Sequence, residues 1–248
     1  MTYLKILANG GTGTGKSYFG LGFPKVAWLI TEPGNLVLLE THPHLAKNVV
    51  WHEEFIPSPL EDSKVVFGKL EKAIKKAHED CASGKIETLF LDNISFLFEN
   101  RWIYLQQHEP VKASNGALDK RGMYGTLGRW GYKFTLVDIL SFPKNVVVSC
   151  HEMVEGDEAM EKRVDKTTSI LPNIIGGFRE KVGGMFSASI YLEKKRLGEN
   201  KYQYLARCQR GNQRDAKNRL GLPEIVENVS YDSLIKAIQT SKEKVSAS

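Results

Sequence analysis

The sequence predicts an α/β fold: a mainly parallel β-sheet flanked by helices, with a β-hairpin in its C-terminal part. Three observations lead there. Residues Gly10–Ser17 read G-G-T-G-T-G-K-S and stand behind a short apolar run, Tyr3–Ala8, and ahead of a segment able to form a helix. Strand-like apolar runs then recur with helical stretches between them, the pattern of a parallel sheet covered by helices. Residues 187–195 and 201–208 alternate in polarity around Gly198-Glu199-Asn200, the signature of a hairpin.

Taken in order, Tyr3–Ala8 is the strand that feeds the glycine-rich loop. Val26–Ile30 is a second apolar run, ended by Thr31-Glu32-Pro33-Gly34, and Asn48–Trp51 reads as a third. Residues 62–80 carry Val66, Leu70, Ala73, Ile74 and Ala77 at helical spacing, and Ser83-Gly84 stops that helix. Thr88–Leu91 is a fourth strand, closed by Asp92. Helices are expected over 94–107 and 124–141. Asn145–Cys150 is β-branched, as suits a buried parallel strand. Residues 230–240 read as a closing helix. No internal repeat or linker divides the chain, so 1–240 is expected to form one domain and 241–248 a polar tail. Stretches 108–123 and 152–172 lack clean periodicity, and loops this long are usually functional or disordered.

The 248 residues suffice for one large α/β domain with a buried core. Their 42% hydrophobic and 25% charged content is that of an ordinary globular protein. Lys5 and Asn9 interrupt any apolar stretch at the start, and no run approaches the roughly 18 residues of a membrane span. Neither a signal peptide nor a membrane segment is therefore expected, and a cytoplasmic setting is. Cys81, Cys150 and Cys208 have no metal spacing and read as reduced thiols. A net charge of +5 is compatible with nucleic-acid binding without establishing it. His42-Pro43-His44 offers two imidazoles but no third ligand. Trp102 and Trp130 read as core.

The chemistry concentrates at the strand ends. Gly10, Gly11, Thr12, Gly13, Thr14, Gly15, Lys16, Ser17 and Tyr18 form a phosphate-binding loop and its exit. Glycines let the backbone make a concave nest whose N–H groups face phosphate oxygens, and the following helix adds its positive dipole end. Lys16 can reach the β/γ-phosphates of ATP, and the Ser17 hydroxyl can hold Mg²⁺. Thr88-Leu89-Phe90-Leu91-Asp92 has the form of a Walker B strand, with Asp92 as the second metal group. The next residue is Asn93, so the acidic base that many ATPases place there is absent. Glu32, at the end of the second strand, is the alternative supplier; its bland reading is a glutamate opening a Pro-Gly turn. Among Ser149, Cys150, His151 and Glu152, which end on the same edge, His151 is the best candidate to sense the γ-phosphate.

With Lys217-Asn218-Arg219-Leu220-Gly221 added, this order resembles the RecA-like core ATPases, and most of all phage-encoded RadA-like nucleotide-binding proteins linked to single-strand annealing. The Lys-Asn-Arg-x-Gly piece is similar to a RadA motif, with Leu220 where that family has Phe, and neither the zinc module nor the protease-like domain of RadA is present in this sequence. The resemblance implies a RecA-like P-loop core and Mg²⁺-dependent ATP hydrolysis. It also implies self-association into a ring or filament through the ATP sites, with Lys217 and Arg219 reaching a neighbour's γ-phosphate. It further implies action on single-stranded DNA in recombination, annealing or replication, in the company of a single-stranded-DNA-binding protein. The DNA-facing loops would carry Lys112, Lys120, Arg121 and Tyr124, then Lys162, Arg163, Lys166, Arg179 and Lys181, with Tyr124 or Phe178 stacking on bases. Glu152, Glu155, Asp157, Glu158 and Glu161 share the second of these stretches and oppose that contact. Arg207, Arg210, Arg214, Lys217 and Arg219 alternatively form a plain solvated or nucleic-acid face. Two other functions use the same P-loop and Asp92: a small-molecule kinase, and a nucleotide-dependent assembly switch with little turnover.

Overall fold

The computed structural model describes residues 3–58, 62–154, 170–199, 201–209, 211 and 216–246. The described strands are β1 (Lys5–Gly10), β2 (Val26–Ile30), β3 (Val49–Glu54), β4 (Thr88–Asp92), β5 (Asn145–Val154), β6 (Ile170–Pro172), β7 (Ala188–Gly198), β8 (Lys201–Arg207), β9 (Lys217–Asn218) and β10 (Ile225–Glu227). They form one sheet in the order β10-β8-β7-β1-β5-β4-β2-β3, with β6 on β5 and β9 on β7. The run from β7 to β3 is parallel, whereas β8, β10, β6 and β9 join antiparallel. The fold is thus α/β, with a mainly parallel sheet and the expected hairpin, β7–β8.

Parallel strands covered on both faces must be apolar throughout, and β2 and β4 bury all five of their residues. Side chains alternate between the faces. Leu7, Leu29, Leu91 and Val148 pack on one side against α4 (Ser63–Ala82), α5 (Ile94–His108) and α6 (Lys120–Lys133). Ile6, Ala8, Trp28, Ile30, Phe90 and Val147 pack on the other against α1 (Lys16–Leu21) and α8 (Tyr231–Ser246). Two short helices, α2 (Val37–Thr41) and α3 (Pro43–Ala46), cross from β2 to β3, and α7 (Arg179–Val182) precedes β7.

Several boundaries differ from expectation, each for a local reason. β1 runs two residues further, to Gly10. The helix expected from 124 begins at Lys120, because the Asp119 carboxylate accepts the Gly122 N–H at 3.0 Å and caps it. It continues as a π-helical turn over Phe134–Ile139. Glycines at 122, 125, 128 and 131 hid its start. β5 runs four residues past Cys150, and there Glu152, Met153 and Val154 pair with β6. α8 continues to Ser246, so residues 241–246 are helical where a tail was expected. Residues 155–169, which include Lys162, Arg163 and Lys166, lie outside the described residues, as do Arg210 and Arg214.

Two glycines make opposite demands. A Cβ at Gly20 in α1 would overlap the buried Phe90 ring, whereas one at Gly128 in α6 would meet nothing within 4 Å. Gly20→Ala is expected to cost about 1–3 kcal/mol as overpacking. Gly128→Ala is expected to add about 0.5–1 kcal/mol through helix propensity. Urea unfolding midpoints of the two variants should move in opposite directions; movement in the same direction would contradict the packing described.

Candidate active site

The order of the sheet assembles the site. β5 is inserted between β1 and β4, and β4 between β5 and β2, so four strand ends meet at one edge. Register places Gly10 beside His151 and Ile30 beside Asp92. β1 stops at Gly10, where the chain turns into the loop and then α1. Gly13 and Gly15 hold φ of 75° and 88°, a left-handed backbone that only glycine adopts freely. A Cβ at Gly15 would also fit tightly, 3.0 Å from the Tyr204 ring. With α1 only six residues long, the backbone nest rather than a long helix dipole supplies the anion-binding field.

Lys16 is buried at 6% exposure, and its ammonium donates at 2.8 Å to the carbonyls of both Gly10 and Gly11. Burial lowers its pKa, while the charges of Glu32 and Asp92 pull it back up. The ammonium also lies 3.4 Å from His151 Nδ1. An ammonium has donors only, so Nδ1 accepts and the ring proton sits on Nε2. That nitrogen faces the Glu32 carboxylate at 3.2 and 3.3 Å. Burial raises the Glu32 pKa, but the His151 hydrogen bond, the Lys16 charge and the Asn93 amide outweigh it, and the net shift is downward. Glu32 is therefore an ionised carboxylate, held rather than loose.

Asp92 is completely buried. Ser149 donates to Oδ1, and Asn35 Nδ2 donates to Oδ2 at 2.9 Å. Burial raises its pKa, against the hydrogen bonds from Ser149 and Ser17. Ser17 and Asp92 are adjacent oxygen donors of the hard type that Mg²⁺ takes. Among the described residues no cluster of three or more His, Cys, Asp or Glu could hold a metal ion. A metal at Ser17 and Asp92 would thus share its shell with substrate phosphates, as Mg²⁺ usually does. The residues fit the group.

These side chains surround a cleft of about 340 Å³, whose lining includes Thr12, Lys16, Ser17, Glu32, Asn35 and His151. Larger hollows of about 520 and 540 Å³ lie between α4 and α6 and beside α8. Lys75, Lys133 and Lys236 in their walls are exposed and neither hollow borders the glycine-rich loop, whereas a buried lysine beside a held carboxylate is the better mark of a reactive site. Glu152 also borders the loop, with Oε1 3.6 Å from where a Gly11 Cβ would stand.

The sequence did not single out two of these groups. Asn93 accepts the Phe96 N–H at 3.0 Å to cap α5, and its amide holds Glu32. An Asn directly before a helix was the available signal. Asn35, which holds Asp92, has no local signature. Tyr18 stands at the cleft with its hydroxyl 2.9 Å from His44 Nε2.

Other candidates lie apart. Lys217 is on β9, donates to Gly184 O and lines a separate hollow of about 210 Å³ with Arg179 and Glu180. Burial and the neighbouring Arg219 charge lower the Lys217 pKa. Arg219 is exposed. Lys120, Arg121 and Tyr124 sit on the first turns of α6, not on a loop, and Lys112 is bridged to Leu118. Tyr124 stacks on Trp102 at 4.6 Å, which occupies one of its faces. Lys181 lies over Tyr132, and Arg179 points a guanidinium nitrogen at the Met153 sulfur. Phe178 is no stacking platform: it is buried at 3% exposure, stacked on Phe98 and met edge-on by Tyr132.

A glycine-rich loop, the adjacent Ser17 and Asp92 oxygens and a held carboxylate on one sheet edge have the form of a P-loop nucleotide site of the ATPase kind. The chain belongs to the AAA domain family, whose pattern matches residues 2–220. No curated protein sequence matches it. Among solved structures it is similar to a prototypical ATPase from the type III secretion system of pathogenic bacteria, with 17% identity and a TM-score of 0.48, over 77% of this chain and 51% of that one. It is also similar to the assembled type III secretion ATPase EscN of enteropathogenic E. coli, with 14% identity and a TM-score of 0.44, over 76% of this chain and 43% of that one. The RadB recombinase shares 16% identity and a TM-score of 0.45, over 91% of this chain and 87% of that one. The chain thus spans about half the length of the first two. With TM-scores under 0.5, functional weight rests on this chain's own residues.

The buried carboxylate gives a pH test. The Asp92 pKa is raised in the folded state, so between the unfolded carboxyl value, about 3.9, and the raised one the folded chain binds more protons. Stability then falls as pH rises through that window. Asp92→Asn escapes this loss. Without Mg²⁺ or nucleotide it is expected to unfold at higher urea than the unsubstituted chain at pH 7, with the gap closing toward pH 4. A variant less stable at pH 7 would contradict the assignment.

Proposed function

We propose that this chain is a Mg²⁺-dependent ATPase of RecA-like type that works as an assembly on single-stranded DNA. The observation that carries the ATPase reading is the chain of contacts Lys16–His151–Glu32–Asn93, which ties the phosphate-binding lysine to a held carboxylate within one cleft. Ser17 and Asp92 would hold Mg²⁺, which supplies positive charge at the phosphates. The loop amides and Lys16 bind the triphosphate. Glu32 orients the attacking water and takes its proton at an Oε atom, while Asn93 and His151 fix the carboxylate's direction. His151 feels the phosphate through Lys16: when the ammonium turns from Nδ1 to substrate, the imidazole loses its donor and its hold on Glu32 changes.

The separation of Lys217 and Arg219 from this chain's own cleft supports a role in trans, where a cation from the neighbour meets charge developing on the γ-phosphate. Self-association through the ATP sites follows from that reading. The DNA reading rests on Lys112, Lys120, Arg121 and one face of Tyr124, all exposed along the start of α6 and the loop before it. The kinase and low-turnover switch readings use the same cleft and are separated by the measurements below.

Lys16→Ala is expected to abolish ATP hydrolysis. Glu32→Gln should keep ATP binding and lose roughly 10²-fold or more in turnover, the scale of a lost base. Unchanged turnover would move the base elsewhere, with Glu152 next. Arg219→Ala chains should be inactive alone but regain activity when mixed with Lys16→Ala chains, because an intact loop then faces an intact arginine. Activity per chain that is independent of protein concentration, with no rescue on mixing, refutes the trans role. Single-stranded DNA should stimulate phosphate release, and its affinity should fall steeply with salt. Removing the charges of Lys120 and Arg121 should weaken it. Absence of DNA binding at low salt with ATP and Mg²⁺ would favour the kinase or switch reading.

A further inference from the structure

A second cavity of about 270 Å³ opens beside the phosphate cleft, between α1 and the outer part of the β7–β8 hairpin. Gly15, Tyr18 and Tyr204 line both, so the two are continuous. Tyr202, Asn228 and Ser230 also stand in its wall. Three tyrosines around one hollow keep 41% (Tyr18), 46% (Tyr202) and 37% (Tyr204) of their surface exposed, although the core has no use for them there. Tyrosine is enriched at binding surfaces, where its ring meets an apolar or flat partner while its hydroxyl stays wet.

Each part of the wall has a physical cause. β7 pairs with β8 so that Lys194 faces Tyr204 and Arg196 faces Tyr202, putting two rings and two cations on one face of the ribbon. Lys194 lies 3.9 Å from the Tyr202 ring centroid and steadies it. Tyr204 lies against the backbone of Gly15, where a Cβ would stand 3.0 Å from the ring. Asn228 takes a left-handed backbone, φ 48°, in the turn after β10, which asparagine tolerates better than most residues. Among the described residues its side-chain amide has no partner.

We propose that this hollow seats the base of the nucleotide, with Tyr204 as the stacking platform and the Asn228 amide reading a purine edge. The proposal rests on the nucleotide-site reading above. A triphosphate in the loop can lead into the hollow only past Gly15 and Tyr18, the two residues at the junction. An amide that offers both a donor and an acceptor matches the adjacent acceptor and donor of adenine, N7 and N6. The outer hairpin, exposed along its length from Lys194 to Gly198, thereby becomes the base-reading element of the site.

Equilibrium binding of ATP, CTP and inorganic tripolyphosphate, each with Mg²⁺, tests this. The unsubstituted chain should bind ATP more tightly than CTP or tripolyphosphate. Tyr204→Ala should lose about 5- to 100-fold in ATP affinity, the worth of one stacked base. Its tripolyphosphate affinity should be unchanged, and Tyr204→Phe should bind ATP normally. Lys16→Ala should lose both ligands. A Tyr204→Ala variant that weakens ATP and tripolyphosphate equally, or neither, overturns the base seat while leaving the phosphate loop standing. An unsubstituted chain that binds none of the three overturns the nucleotide-site reading and the seat with it.

Discussion

A carboxylate cut off from water must be given donors or give up its charge, and Asp92 at the end of β4 is wholly cut off. Much of the site can be read as an answer to that. Ser149 comes from the neighbouring β5, Asn35 from the crossing after β2, Ser17 from α1, and the Lys16 charge from the loop. Three segments far apart in sequence must arrive together at the end of β4 for the aspartate to be tolerated. The sheet order that brings them, with β5 set between β1 and β4, is thus tied to the buried charge as closely as to the apolar packing around it.

The same edge divides labour between two acids. Asp92 is surrounded by neutral donors in the dry interior and its pKa rises; Glu32, half-buried, meets an imidazole, an amide and the lysine and its pKa falls. One is suited to hold a metal, which would restore its charge, and the other to stay charged beside substrate. Different surroundings separate two like side chains into two roles, as acid pairs in active sites commonly require.

What could be read in advance follows how local each signal is. The Gly10–Ser17 loop and the Asp92 strand are contiguous patterns, so position and chemistry were legible together. Glu32 was found by elimination, since Asn93 stands where an acid was looked for; that this Asn itself grips Glu32 depends on β2 lying beside β4. Asn35 carries no local pattern at all. The α6 boundary was masked by glycines, two of which, Gly122 and Gly131, sit where side chains would collide with Asp119 and Phe98. Phe178 looked free in a glycine-rich stretch because nothing nearby in sequence shows that Phe98 of α5 waits beneath it.

Lys16 has one more consequence. In the free chain its ammonium is already spoken for by the carbonyls of Gly10 and Gly11. In the proposed ATPase, substrate arrival is therefore an exchange and not an addition: two peptide oxygens lose their donor as phosphate oxygens gain one. The heat released on binding is a difference between similar hydrogen bonds, and much of the drive must come from charge neutralisation and freed water. The loop also borrows its resting shape from the lysine it presents. Removing that side chain alters the cradle before any nucleotide reaches it, so the proposed phosphate contact and the loop architecture both fall to a single residue.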